Sequence, residues 1–158
     1  MTEPSVRELL AAYGQADDAL LQRGVARSKN IVGDYAEHLF QRAFGWELAP
    51  KSTKSFDLQS KTATYQVKAR RVSPTNRSCE LGAMPVDDAL AFDALAAVIF
   101  EADFEILYAA IIPREVLMPL RTSRDSNRPR FVFRQACLEI PGVQVVTEHV
   151  RSAQRDWT

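Results

Sequence analysis

The feature that most limits what this chain can become is a pair of short apolar runs, Ala94 to Phe100 and Ile106 to Ile112, bounded by charge and joined at Glu101 to Phe104. Neither run alternates apolar with polar residues. A strand built from either one buries both of its faces, as strands do in sheets covered on both sides by helices. Asp93 precedes the first run and is expected to cap or buttress that strand rather than take a chemical role. Pro113 follows the second and suits the first turn of a short helix through Leu117.

Helical periodicity supplies the cover. Ser5 to about Gln22 reads as an amphipathic helix with Val6, Leu9, Leu10, Tyr13, Leu20 and Leu21 on one side, ended by Gly24. A second helix runs from about Asn30 to Phe44, capped by Ser28 or Asn30 and stopped by Gly45. Its apolar arc holds Val32, Tyr35, Ala36, Leu39, Phe40, Ala43 and Phe44, and Glu37 falls at the border of that arc beside Gly33. Val145 to Ala153 is expected to form a closing helix. Trp46 to Ala49 suits a short strand. Phe56 to Gln59 and Ala63 to Arg71 suit a hairpin around Ser60-Lys61-Thr62, and Arg130 to Arg134 a late strand. Val72 to Leu81 reads as loop. The expected fold is α/β, bordering on α+β: a mixed sheet flanked by helices.

A chain of 158 residues suits a single domain over 1–158, and 46% apolar with 25% charged residues is an ordinary globular profile. The most apolar stretch, Ala89 to Phe100, is too short to span a bilayer, and the N-terminus lacks a signal-peptide pattern. The expectation is therefore a cytoplasmic protein with no membrane role. Cys79 and Cys137 have no ligand-like spacing and are expected as free thiols. His38 and His149 lack metal-ligand partners at the usual spacings, and no phosphate-cradling Gly-rich loop or nucleophile elbow is present.

Net charge is zero, with 20 basic and 20 acidic residues, but the charges are segregated. Arg42 to Arg77 is basic, Ser78 to Glu105 contains acidic residues and no Lys or Arg, and Arg114 to Arg134 is basic again. Segregation of this kind can give a neutral molecule one positive face.

Strand parity locates a candidate site. Along Thr64 to Arg71, Tyr65, Val67 and Ala69 share one face, while Gln66, Lys68 and Arg70 share the other. Asp57 is opposite in parity to Phe56 and Leu58, so the hairpin brings Asp57, Gln66 and Lys68 within side-chain reach. Glu37 points from its helix toward the sheet edge, and Gly33 one turn earlier leaves room for a close approach. Such a set suits Mg²⁺ or Mn²⁺, which take oxygen ligands and keep several waters. Asp57 serves as central ligand, with Glu37, the Gln66 amide oxygen and the Val67 carbonyl as further oxygens. Lys68 stands near the attacking water or the scissile phosphate. Arg70, Arg71, Lys51, Lys54 and Arg77 can frame the site as phosphate contacts, and Arg121, Arg124, Arg128 and Arg130 can form a second basic loop.

The order Glu37, Ser55-Phe56-Asp57, Tyr65-Gln66-Val67-Lys68 resembles the PD-(D/E)XK nuclease superfamily. It is nearest the Mrr-like restriction branch, in which Gln commonly stands before the motif Lys. The resemblance covers roughly Gly33 to Arg71, with a weaker likeness from Phe92 through Val116. It implies a restriction endonuclease-like fold and a metal-dependent DNA endonuclease. Phe56 stands where the family has Pro, and Gln66 removes one negative charge from the site.

The bland alternatives are concrete. Gln66 and Lys68 alone describe a solvated strand face, Asp57 can serve turn amides, and Glu37 alone is a common surface residue. A nuclease-fold module that binds nucleic acid without cutting it is the second expectation, motivated by Gln66 and the zero net charge. A subunit of a defence or repair complex is the third, motivated by the acidic segment. Double-strand cleavage by so short a chain would need a homodimer or a partner subunit.

Overall fold

The computed structural model describes residues 2–50, 52–53, 55–83, 92–122 and 129–157. Two helices come first, Val6–Gln22 (α1) and Ile31–Phe44 (α2). Glu47–Leu48 (β1), Leu58–Gln59 (β2) and Thr64–Arg71 (β3) follow, and then Glu80–Ala83 (β4). Ala94–Phe100 (β5), Ile106–Pro113 (β6) and Arg114–Leu117 (α3) lead to Arg130–Val132 (β7), Gln144–Val145 (β8) and Thr147–Arg155 (α4). Six strands form one sheet in the order β1-β2-β3-β5-β6-β8, and β4 pairs with β7 in a separate two-stranded sheet. β3 and β5 run parallel, while the other neighbours are antiparallel. The fold is α/β, a mixed sheet flanked by helices.

The two apolar runs lie at the centre of the sheet. Every residue of β5 is buried, and alternate side chains enter two different clusters. Ala96, Val98 and Phe100 join Ala36, Leu39 and Phe40 of α2 and Val150 of α4 on one face. Leu95, Ala97 and Ile99 join Leu117, Leu81, Phe131 and Phe133 on the other. Each fully buried Leu, Ile or Phe contributes roughly 1.5–3 kcal/mol, so this pair of strands anchors both layers. A register shift opposite Ile99 and Phe100 keeps Ile106 and Tyr108 in different clusters. Asp93 buttresses the neighbouring strand: its Oδ2 accepts from the Thr64 N–H at 2.8 Å and the Thr64 hydroxyl at 3.2 Å.

Helix ends follow the cap chemistry. Ser5 and Glu8 form a capping box at α1. Asn30 caps α2 by accepting from the Gly33 N–H at 3.2 Å, and Gly45 ends it in the left-handed conformation, φ 69°. A Cβ at Gly33 would lie 2.6 Å from Asn30 Nδ2, so the cap itself accounts for the glycine, in place of the expected room for a substrate.

Three expectations change. α1 forms as expected, but none of its residues is buried, and Leu10 and Tyr13 are 64% and 70% exposed. The helical period reports a face but not what covers it. Part of the expected loop after Val72 is strand: Glu80 to Ala83 pairs with β7 in an irregular register. Val145 belongs to β8, and the last helix begins at Thr147, whose hydroxyl accepts from the Ala109 N–H. Cys79 and Cys137 are both free. Among the described residues no helix is long and apolar enough to cross a membrane.

Candidate active site

The site begins at the residue before β2. The Asp57 N–H donates to the Tyr65 carbonyl at 2.9 Å, and the Asp57 carbonyl accepts from the Ala49 N–H at 2.9 Å, so its backbone is held from both sides. The ladder between β2 and β3 stops there, and the Asp57 side chain continues it. Asp57 Oδ2 accepts from the Val67 N–H at 2.8 Å and from Gln66 Nε2 at 2.6 Å. A strand residue turns its N–H and C=O to the same edge, which directs the Val67 carbonyl to this opening as well. Asp57 Oδ1 accepts no hydrogen bond among the described residues.

Glu37 reaches the same place from α2. A cavity of about 270 Å³ is lined by Arg27, Ser28, Asp34, Glu37, Thr53, Phe56 and Asp57, with Ala49 and Pro50. Glu37 is 22% exposed and faces this cavity, as its border position on the apolar arc requires. Burial raises the pKa of Asp57. The Val67 N–H, the charges of Lys68 and Arg27 and the Gln66 hydrogen bond act against that rise without overcoming it. Lys68 is half-buried on the same strand face as Gln66, and its charge is felt at Asp57, but it does not line the cavity.

Gln66 differs from expectation in one respect. It presents its amide nitrogen to Asp57, because a carboxylate oxygen only accepts hydrogen bonds and so attracts a donor. Ligation of a shared cation by the Gln66 oxygen requires that amide to turn over.

Sequence inspection missed the other half of the cavity. Asp34 is 6% exposed and accepts from the Arg27 N–H at 2.7 Å, the Ser28 N–H at 2.6 Å and the Ser28 hydroxyl at 3.1 Å. This staples the segment before α2 onto its first turn. Arg27 Nη1 then lies 3.5 Å from Glu37 Oε2. The only signal in the sequence was an acid in a helix first turn, a common feature with many meanings.

The expected phosphate contacts divide. Arg70 shares the parity of Gln66 and Lys68. Arg71 and Arg77 are engaged at the far end of β3. Arg71 Nε donates to the Ala102 carbonyl at 2.6 Å, and Arg77 makes a two-pronged pair with Glu101 at 2.9 and 3.1 Å. Arg71 lies four residues beyond Val67, about 13 Å along the strand. Arg130 pairs with Glu80. Lys51, Lys54, Arg124 and Arg128 lie outside the described residues. His38 and His149 do not line the cavity.

The donor set fits a hard divalent ion of Mg²⁺ type. Asp57 and Glu37 share one cavity, Asp57 keeps one oxygen without a hydrogen bond among the described residues, and the Val67 carbonyl points to the same edge. Among the described residues no three His, Cys, Asp or Glu side chains cluster. Such an ion would therefore depend on two carboxylates, neutral oxygens, water and substrate. No protein-family model matches the chain, and no curated protein is similar to it.

Proposed function

We propose that the chain is a metal-dependent phosphodiesterase acting on DNA, with its site at the opening between β2 and β3. The observation that carries this is the meeting of Asp57 and Glu37, from a hairpin and a helix, in one cavity beside Val67 and Lys68. Asp57, Glu37 and the Val67 carbonyl would hold Mg²⁺ or Mn²⁺. The ion, when bound, supplies an activated water and neutralises charge on the phosphate. The chain supplies the rest. Asp57 is held by two N–H donors, so its free oxygen has a fixed direction. Lys68 places an ammonium on the strand face beside Asp57, where it can donate to a phosphate oxygen or to the incoming water. The raised pKa of Asp57 favours its acid form where no cation is present, and a cation favours the carboxylate.

Supercoiled plasmid with Mn²⁺ tests this: wild type nicks it, while Asp57→Asn and Lys68→Ala lose at least about a hundredfold in rate. Wild type that leaves the plasmid intact, or nicking that survives both substitutions, overturns it. Binding of nucleic acid without cleavage is the second reading. Two observations favour it: a cation of the chain, Arg27, stands beside Glu37, and Gln66 stands where a third carboxylate would add charge. DNA binding indifferent to Mn²⁺ and to Asp57→Asn would establish it.

A further inference from the structure

Arg27 is held in two unequal ways. Its backbone is fixed by the buried Asp34, through short hydrogen bonds to Arg27 and Ser28. Its guanidinium is held loosely, with Nη1 3.5 Å from Glu37 Oε2 and Nη2 donating to the Ala49 carbonyl at 3.4 Å. Both distances are at the long end of the hydrogen-bonding range. A two-pronged Arg–carboxylate pair is shorter, as Arg77 and Glu101 illustrate in this chain. The Arg27 side chain is only 20% exposed, lines the cavity, and favours the ionised form of Asp57. One cation thus addresses both carboxylates, from a rigid anchor and with an end free to change partners. A planar fork with several N–H donors in that position matches a phosphate better than it matches the single Glu37 oxygen it meets.

We infer that Arg27 is a positioning residue that exchanges partners. In the metal-free chain it neutralises Glu37. When Glu37 takes up a divalent ion, the guanidinium turns to a phosphate oxygen of the nucleic acid. This rests on the cavity being a phosphodiesterase site and adds to it a contact that selects for a polyanion. No covalent bond changes in the exchange: one ion pair is released and another forms.

The test compares wild type with Arg27→Ala and Arg27→Lys in two measurements that do not involve cleavage. In calorimetric titration with Mn²⁺ and no DNA, Arg27→Ala should bind about three- to tenfold more tightly, because a competing cation has gone. In duplex binding at saturating Mn²⁺, made in the Lys68→Ala background so that the duplex stays intact, the same variant should bind more weakly. Its plot of log affinity against log salt should be shallower by about one phosphate contact. Arg27→Lys should restore the salt slope while leaving Mn²⁺ affinity near that of wild type, since it keeps the charge without the fork. A residue that merely supports the fold would weaken both ligands together and leave the slope unchanged, and that result overturns the inference. Should Arg27→Ala fail to fold, Arg27→Gln carries the same two expectations. Mn²⁺ uptake that ignores every Arg27 variant sinks the exchange alone. No Mn²⁺ uptake by any of the proteins sinks the metal site and the exchange together.

Discussion

Gln66 donates its side-chain amide to Asp57 Oδ2 at 2.6 Å, next to the Val67 N–H at 2.8 Å on the same oxygen. A neutral donor therefore stands where the resemblance to PD-(D/E)XK nucleases would also allow an acid. Together the two donors fix the orientation of the Asp57 carboxylate.

Gln66→Glu removes that donor and sets two carboxylates against each other. The variant should lose roughly 1–3 kcal/mol of stability at neutral pH without metal. It should regain most of this in Mn²⁺, which binds only the folded state. Thermal melts with and without Mn²⁺ check this, and a variant as stable as wild type in EDTA would refute it.

Burial raises the Asp57 pKa above its unfolded value, which gives a definite sign to the pH dependence. At pH below the unfolded value, both states hold the proton and nothing is lost. As pH rises, the unfolded chain releases its proton first, so stability falls until the folded carboxyl has also ionised. Asp57→Asn lacks this titration. Its stability relative to wild type should therefore rise as pH climbs above the ordinary carboxylate value of about 4 and level off once the folded carboxyl has also ionised. Urea unfolding across that range measures it. Saturating Mn²⁺ should reverse the trend, since the ion favours the ionised form.

Asp34 is the buried acceptor that joins Arg27 and Ser28 to the first turn of α2. Asp34→Ala leaves two backbone N–H groups without their acceptor and should cost about 2–4 kcal/mol. Denaturant unfolding gives the stability. A cost below about 0.5 kcal/mol, the ordinary range for surface changes, would show that the staple is dispensable.

The two first helices should respond oppositely to substitution. Leu10 is exposed on α1, so Leu10→Gln should alter stability by less than about 0.5 kcal/mol. Leu39 is fully buried under the sheet, so Leu39→Ala should cost about 2–5 kcal/mol. A large loss at Leu10 in dilute solution would mean that α1 is buried against something under those conditions, and a melting temperature that rises with protein concentration would identify a second copy.

Residue order alone determined the elements and most of their faces. Side-chain period is a local property, so α2 with its Asn30 cap and Gly45 stop, the hairpin around residues 60–62 and the doubly buried β5 and β6 could all be read from short windows. The same parity set Gln66, Lys68 and Arg70 on one side of β3 and Val67 on the other. Tertiary structure decided what no window contains. It made β3 a parallel neighbour of β5, a pairing between segments some thirty residues apart that depends on both being covered by α2 and α4. It left Val6, Leu9, Leu10, Tyr13 and Leu21 of α1 exposed. It also turned the Gln66 nitrogen toward Asp57 and brought Arg27 to Glu37. Those are choices of hydrogen-bond partner, made by whichever donors and acceptors the fold carries to one point, and a sequence pattern ranks residue types but not the distances between them.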